Sequence, residues 1–194
     1  MTFDYRCPFA RNAHEHVLSA LEGGAPFSVS FVPFSLSQMH VEDGQPSVFD
    51  DPSKRQDLLA MEAALVVRDR LFDDFFKVHR ALFALRHDDA GDLRDEAAIS
   101  SVLEAQGVDP GFVFKEIEAG WPLEQFRREH EEAESEHSVF GVPTFIVGSQ
   151  AVFVRLMNRP ADDTALARRM IEQVLATIAG FPELNELKHT SIPR

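Results

Sequence analysis

The spacing of apolar residues near the start of the chain predicts a strand, a helix and a second strand. Apolar residues recur on one face of a helix over residues 8–21, and Gly23-Gly24 follows as a stop signal. A very short strand that ends at Cys7 precedes this helix, and residues 27–32 alternate apolar and polar side chains as a strand does. Because crossovers between parallel strands are right-handed, we expect the two strands to be parallel neighbours.

A long helical block follows a loop at residues 34–53. No glycine or proline interrupts the chain between Pro52 and Gly91, and large apolar side chains recur there every three or four residues. This length predicts two helices, or one helix with a kink that the pattern does not place. Asp95 and Asp109 are of the residue type favoured at helix N-caps. We therefore predict further helices at residues 96–106, 110–119 and 122–137.

The last part of the chain returns to strand and ends in a helix. Residues 144–147 and 150–154 flank Gly148-Ser149, which predicts a tight antiparallel hairpin. Residues 162–164 are suited to cap a final amphipathic helix that ends near Gly180. The order of elements predicts an α/β fold, a small mixed sheet with an all-helical insertion. We predict a sheet domain from residues 1–53 and 139–194 and a helical insertion domain at residues 54–138.

Charge and composition exclude several classes of function. The 194-residue chain has a formal net charge of −13, which argues against nucleic acid or an anionic membrane as the main partner. It contains no run of about 18 apolar residues and no apolar stretch typical of a signal peptide. Its single cysteine excludes an internal disulfide and fits a reducing compartment. We therefore expect a cytoplasmic protein with no membrane span.

The one cysteine stands where a reactive thiol is favoured. Cys7 directly precedes the first predicted helix, and the first amide groups of a helix carry partial positive charge without internal partners. A thiolate there is stabilised, so we expect the pKa of Cys7 to lie below the free value of about 8.5. Arg11, one turn further on, adds positive charge if it points the same way. The alternative, a buried structural cysteine, remains open at this point.

A second segment carries possible site chemistry. Gly141, Val142 and Pro143 lead directly into the strand at residues 144–147. Proline is tolerated at a strand start because it need not donate to the ladder, and the peptide bond before it can be cis. The alternative is an ordinary turn before a hairpin.

Together the two segments resemble the DsbA-like thioredoxin-fold family. Residues 3–10, Phe-Asp-Tyr-Arg-Cys-Pro-Phe-Ala, resemble its Cys-Pro-x-x active site, and residues 141–145, Gly-Val-Pro-Thr-Phe, resemble its cis-proline loop. The resemblance implies a thioredoxin-like mixed sheet in which the proline loop packs against the thiol. It also implies that the backbone of the residue before the proline pairs with a bound thiol or peptide. The implied site residues are Cys7 as the catalytic thiol and, for thiol or substrate binding, Pro8, Phe9, Arg11, Val142 and Pro143.

The resemblance is closest to a cytoplasmic branch that uses low-molecular-weight thiols, on the basis of residues 152–157 and 187–194. This branch is related to the 2-hydroxychromene-2-carboxylate isomerases and the kappa-class glutathione transferases. Ala10 replaces the second cysteine of the family motif, so dithiol cycles are excluded and an external thiol must resolve any mixed disulfide. The implied co-substrate is mycothiol or glutathione, with no permanently bound cofactor.

Three functions remain open. The first is a monothiol oxidoreductase, in which Cys7 attacks a small disulfide or electrophile. The second is a thiol-dependent isomerase or transferase, in which the bound thiol reacts and Cys7 positions it. The third is a non-catalytic binding module. The apolar helical block is compatible with a homodimer, although nothing in the sequence requires one.

The histidines are weaker candidates. His14 lies two turns from Cys7 and could line the site, but a solvent-exposed position is favoured. His130 and His137 share a helix face, and two ligands alone do not make a zinc site. We therefore expect no metal site.

Overall fold

The computed structural model of the protein describes residues 1–192. Strand β1 (Thr2–Phe3) pairs in parallel with strand β2 (Val32–Pro33), and helix α1 (Pro8–Glu22) connects them. The predicted strand–helix–strand unit and its parallel pairing are confirmed. The predicted strand at residues 27–32 was wrong in position, since only Val32 enters the ladder. The reason is that β1 offers only two residues for pairing before the chain turns toward Cys7.

Five helices fill the span between β2 and the hairpin. The break that the sequence pattern did not place lies at Leu71, whose backbone (φ −136°, ψ 48°) is not helical. Asp95 and Asp109 accept hydrogen bonds from the amides of Ala97 and Gly111, each at 2.9 Å, which confirms both predicted caps. The helices are α2 (Leu59–Arg70), α3 (Phe72–His87), α4 (Glu96–Ala105), α5 (Pro110–Glu118) and α6 (Trp121–His137). Short 3₁₀ segments at Gln38–His40 and Pro52–Leu58 precede them.

The chain then forms the predicted hairpin and a last helix. Strands β3 (Thr144–Val147) and β4 (Gln150–Phe153) are antiparallel, and helix α7 (Thr164–Gly180) is capped by Asp163 and packs along α1. The described strands form two ladders, one parallel and one antiparallel. The hydroxyl of Thr2 links them by accepting a hydrogen bond from the amide of Thr144 at 2.9 Å. The predicted α/β class, with parallel and antiparallel pairing and inserted helices, is confirmed.

One apolar core runs through the strands and the inserted helices. Phe3 of β1 and Phe75 and Phe83 of α3 are all almost completely buried, and they belong to the same cluster. Complete burial of a phenylalanine side chain contributes about 1.5–3 kcal/mol, so these contacts hold the helices firmly against the strands. The domain bounds at residues 53–54 and 138–139 stay a prediction.

Two further observations concern the helices and the C-terminal residues. Among residues 1–192, no helix combines the length and the apolar character that crossing a membrane requires. Residues 193 and 194, which end the tail that resembles the low-molecular-weight-thiol branch, lie outside the described residues.

Candidate functional site

Cys7 is the N-cap residue of α1. Its backbone is extended (φ −91°, ψ 116°), and its Sγ accepts a hydrogen bond from the amide of Ala10 at 3.4 Å. Pro8 occupies the first helical position, where its fixed φ suits the helix and its missing N–H costs nothing. The Cys7 side chain is largely buried, with 8% of the residue exposed, whereas Pro8 is exposed. The sequence Cys-Pro thus places the thiol at the helix start, as predicted.

The second segment lies directly against this thiol. The peptide bond between Val142 and Pro143 is cis. The Cys7 thiol donates a hydrogen bond to the carbonyl oxygen of Val142 at 3.3 Å. The loop is fixed on both sides, because the amide of Val154 donates to the carbonyl oxygen of Pro143 and the Thr144 hydroxyl donates to that of Gly141, at 3.1 and 2.8 Å. The structure therefore brings two distant segments, 135 residues apart, to one sulfur atom.

The predicted depression of the Cys7 pKa was wrong. Burial raises the pKa of the thiol above its ordinary value, and the nearby Asp4 carboxylate acts in the same direction. The amides of Ala10 and Phe9 do lower the pKa, as a helix start should, but they do not outweigh burial. The hydrogen bond to Val142 also favours the protonated form, because only an S–H group can donate it. The resting site therefore holds a thiol at neutral pH.

Arg11 does not bring its charge to the thiol as predicted. The residue is buried, with 6% exposed, and its guanidinium forms a two-pronged pair with the carboxylate of Asp88, just beyond α3. A buried guanidinium requires such a partner, because an uncompensated buried charge is costly. The cation whose charge lowers the pKa of Cys7 is Arg155. The role of Arg11 in substrate binding stays a prediction.

Arg155 is a site residue that the sequence did not reveal. It lies two residues after the end of β4 and is exposed, and its guanidinium carbon lies 5.3 Å from the ring centroid of Phe9. Phe9 itself is half-buried. The arrangement is a cation–π contact beside the thiol. Nothing in the spacing of Arg155 signalled this contact, because it joins residues that are 146 positions apart in the sequence.

Exposed aromatic surface lies next to the turn that contains Val142 and Pro143. Phe140 is 66% exposed although it is a large apolar residue, and its ring centroid lies 5.4 Å from that of Phe153. It stands immediately before the Gly141-Val142-Pro143 turn. Exposed apolar surface of this kind favours contact with a partly apolar ligand.

A cleft of mixed charge opens next to the residue before Cys7. Its volume is about 580 Å³, and its lining includes Arg6, Ser37, His40, Lys54 and Asp57. The Arg6 guanidinium is already bound, since it donates to the carbonyl oxygen of Asp57 at 2.7 Å. The cleft is large enough for a small molecule, and three carboxylates and two basic side chains other than His40 line it.

His14 neither lines the thiol site nor faces solvent, so both expectations for it were wrong. It is completely buried, and its Nε2 donates to the carbonyl oxygen of Thr2 at 3.1 Å. Because a carbonyl oxygen only accepts, the Nδ1 of His14 must accept, and it does so from Nε2 of His79 at 2.9 Å. The Tyr5 hydroxyl in turn donates to Nδ1 of His79 at 2.7 Å. The carbonyl oxygen of Thr2 thus determines which group donates and which accepts at each hydrogen bond of this row.

Burial keeps His14 and His79, the two histidines of this hydrogen-bonded row, neutral. Desolvation lowers the pKa of His14 to about 3 and that of His79 well below its ordinary value. Burial likewise raises the pKa of Tyr5 well above its ordinary value. The row from Tyr5 to Thr2 is therefore an uncharged and fully hydrogen-bonded element of the core.

His130 and His137 do not form a metal centre with each other. His130 is buried against Phe34, with 4.3 Å between ring centroids, and its Nδ1 accepts from the amide of Ser35 at 3.3 Å. His137 lies at the end of α6. Over residues 1–192, no group of three potential ligands of the His, Cys, Asp or Glu types is placed to bind a metal ion.

Comparison with known protein families gave one result. The model of a family described as DSBA-like thioredoxin domain matches residues 1–162, which include both Cys7 and the Val142–Pro143 bond. A search of curated protein sequences found no match. The family suspected from the sequence is therefore confirmed. Its low-molecular-weight-thiol branch stays a prediction.

Proposed function

The chain belongs to the DSBA-like thioredoxin domain family, and on that basis we propose that it is a monothiol oxidoreductase that reacts through Cys7. Family membership supports the coarse class, a thiol–disulfide oxidoreductase type of function. The monothiol mechanism rests on the sequence, which has only one cysteine. The small-molecule partners proposed below rest on the chemistry of the site.

One observation carries the proposal. The Sγ atom of Cys7 lies at the start of α1 and at 3.3 Å from the carbonyl oxygen of Val142, on the turn that contains the cis bond. Ala10 stands where a resolving cysteine would stand. A thiol held between a helix start and a fixed turn, without a partner in its own chain, is suited to form a mixed disulfide with an external molecule.

The reaction divides into two exchange steps. Cys7 first loses its proton to water, and the thiolate attacks one sulfur of a disulfide RSSR, so that a Cys7–S–SR bond forms and RS⁻ leaves and takes up a proton. A second thiolate, R′S⁻, then attacks the sulfur of the bound SR group. This step releases RSSR′ and restores Cys7. The sum is RSSR + R′SH → RSSR′ + RSH, so no further oxidant or reductant is needed.

The geometry explains how the site could hold the intermediate. Once the S–H proton is gone, the carbonyl oxygen of Val142 loses its donor from Cys7. That oxygen then becomes an acceptor for an N–H or O–H group of the bound molecule. The amide of Ala10 continues to donate to Sγ and stabilises the thiolate when it departs in the second step. The hydrogen bond from the amide of Val154 to the carbonyl oxygen of Pro143 fixes the turn that carries this acceptor.

We propose glutathione or mycothiol as the external thiol, no permanently bound cofactor, and a small disulfide or electrophile as the substrate. The single cysteine supports a reducing, cytoplasmic setting. The test is turnover of 2-hydroxyethyl disulfide with each thiol supplied separately as reductant. We expect turnover with at least one thiol and none above background with Cys7→Ser. Equal turnover by Cys7→Ser and the unmodified protein would overturn the proposal.

A second candidate function has one observation in its favour. Burial raises the pKa of Cys7, and its S–H group is used in a hydrogen bond, which suits a residue that positions a bound thiol rather than attacking. A thiol-dependent isomerase or transferase would use the site in this way. Cys7→Ser keeps a donor toward Val142, so it should retain most activity in this case. The same variant therefore separates the two functions, because the oxidoreductase loses all activity.

A further inference from the structure

The segment that follows β4 runs along the wall of the thiol site. The amide of Val154 donates to the carbonyl oxygen of Pro143 at 3.1 Å, and the side-chain amide of Asn12 donates to that of Leu156 at 2.9 Å. These two bonds tie the segment to the proline turn on one side and to α1 on the other. Arg155 lies between the two tied residues, so its backbone is fixed close to Cys7.

The side chain of Arg155 lies beside the thiol site, where among residues 1–192 it contacts an aromatic ring and not a carboxylate. Its guanidinium carbon lies 5.3 Å from the ring centroid of Phe9, which is two residues from Cys7. An exposed cation–π contact contributes about 0.5–1 kcal/mol, enough to favour this position without locking it. In the described part of the chain the Arg155 guanidinium has no carboxylate in salt-bridge contact.

The neighbouring arginines, unlike Arg155, are paired with carboxylates. The guanidinium of Arg6 lies 3.5 Å from the carboxylate of Asp57, and that of Arg11 pairs with Asp88. Their charges are balanced by the protein itself. Arg155 is therefore the cation beside Cys7 that is open to a ligand, and its charge reaches the sulfur, since it lowers the pKa of Cys7.

We propose that Arg155 is a specificity-determining residue that selects negatively charged disulfides and electrophiles for reaction at Cys7. This inference rests on the proposed function and names its substrate class. An arginine fork binds a carboxylate through two parallel hydrogen bonds. The rest of the molecule repels anions, because the net charge is −13. A local cation at the thiol is then needed for an anionic substrate to approach.

The proposal also separates the two candidate thiols. Glutathione carries free carboxylates, whereas mycothiol carries none. A carboxylate-bearing disulfide such as oxidised glutathione therefore fits the Arg155 site better than an uncharged one.

The test compares iodoacetate with iodoacetamide, which are similar in size and differ in charge. Both alkylate the Cys7 thiolate with loss of iodide, so a general change in thiol pKa cancels in the ratio of their rates. We expect Arg155→Ala to lower the iodoacetate-to-iodoacetamide ratio about threefold, the size of an exposed charge interaction. Arg155→Glu should lower it further and Arg155→Lys should restore it.

Controls make the outcome specific to this residue. Arg169→Ala on α7 removes the same charge from an exposed position and should leave the ratio unchanged. About 0.5 M salt should remove most of the Arg155 effect, because the Debye length then falls to a few ångströms. A ratio that is the same in the unmodified protein, Arg155→Ala and Arg155→Glu would overturn the inference.

Failure of the inference and failure of the proposed function give different results. Alkylation needs no disulfide exchange, so a changed ratio without mixed disulfides would overturn the redox function and support charge selection at Cys7. Mixed disulfides that form equally fast from oxidised glutathione and from positively charged cystamine would support the redox function and overturn the role of Arg155.

Discussion

The thiol site and the Tyr5–His79–His14 row begin in the same short segment of the chain, but they differ in how completely they are buried. In both regions, desolvation favours the neutral form of a titratable group. In the buried row, every donor has an acceptor and no atom faces solvent. At the thiol, 8% of Cys7 stays exposed, and of the nearby side chains Phe9 is half-buried and Arg155 is exposed.

This difference separates stability from reactivity. A closed and fully paired polar row contributes to the folded state, and damage to it exposes buried groups that have lost their partners. The Cys7 thiol lies at a helix start with 8% of its residue exposed and makes two hydrogen bonds, so it contributes less to folding than the row does. Variants of the row should therefore change the free energy of unfolding, and variants of the thiol should change reaction rates.

The largest effect is expected for Cys7→Ser. Replacement of the only thiol should abolish alkylation and mixed-disulfide formation completely, because no other cysteine exists. The free energy of unfolding should change by less than about 1 kcal/mol, since a hydroxyl can take over the hydrogen bond to Val142. Urea denaturation and intact-mass spectrometry measure the two quantities. Loss of stability by several kcal/mol would show that Cys7 is a structural residue.

His79→Ala should lower the free energy of unfolding and leave the reactivity of Cys7 nearly unchanged. The change leaves the Tyr5 hydroxyl and the Nδ1 of His14 without their partner and opens a cavity among aromatic rings, for a loss of about 3–5 kcal/mol. The alkylation rate of Cys7 in the folded protein should stay within about twofold. His40→Ala, at an exposed position, is the control. If His79→Ala does not fold, His79→Gln gives the same comparison with a smaller cavity.

The row should also make the protein sensitive to acid. The pKa of His14 is lowered to about 3 in the folded state, while the unfolded value is about 6.5. The unfolded chain therefore binds a proton that the folded chain excludes. Stability from this group is complete above pH 6.5 and is lost as the pH falls toward 3, with a slope approaching about 1.4 kcal/mol per pH unit. The lowered pKa of His79 acts with the same sign.

Glu62 opposes the loss of stability at acid pH, so its carboxyl group must be removed before that loss is measured. Burial raises its pKa to about 7, against an unfolded value of 4.5, so the folded state binds the extra proton in this window. Its contribution decreases as the pH rises from 4.5 to 7. In a Glu62→Gln background, the free energy of unfolding should therefore fall more steeply below pH 6.5. A flat profile between pH 6.5 and 4 in that background would contradict the neutral state assigned to the row.

The smallest effect is expected for Tyr5→Phe. This variant keeps the ring but removes the donor to Nδ1 of His79, so one buried acceptor loses its partner. A loss of about 1–2 kcal/mol is typical of such a change. The rate ratio of iodoacetate to iodoacetamide should not change, because Arg155 and Phe9 are untouched. A changed ratio would show that the row and the thiol site are coupled.

Local signals in the sequence predicted much of the fold. Asp95 and Asp109 were identified as caps, and Cys7-Pro8 as a helix start, because each depends on only a few adjacent residues. The strand at residues 27–32 was misplaced because alternation reports one-sided burial, whereas pairing depends on the length of β1. The break at Leu71 carries no glycine or proline, so no local signal marked it.

The site was predictable in its backbone and not in its electrostatics. The two segments that meet at the sulfur were found from Cys-Pro and from the Val142-Pro143 turn. The pKa of Cys7 was predicted with the wrong sign, since sequence shows the helix start but not the depth of burial. The partners of His14 and Arg11 lie 65 and 77 residues away, at His79 and Asp88, and Arg155 reaches Phe9 in the same way.

The most direct measurement is the intact mass of the native protein after incubation with oxidised glutathione and with the disulfide of mycothiol, followed by each free thiol. We expect one adduct per chain, absent from Cys7→Ser, that the free thiol removes to regenerate the original mass. Protein denatured before incubation provides the reference for an unshielded thiol. The absence of an adduct on the native protein, with an adduct on the denatured one, would contradict a reactive monothiol site at Cys7.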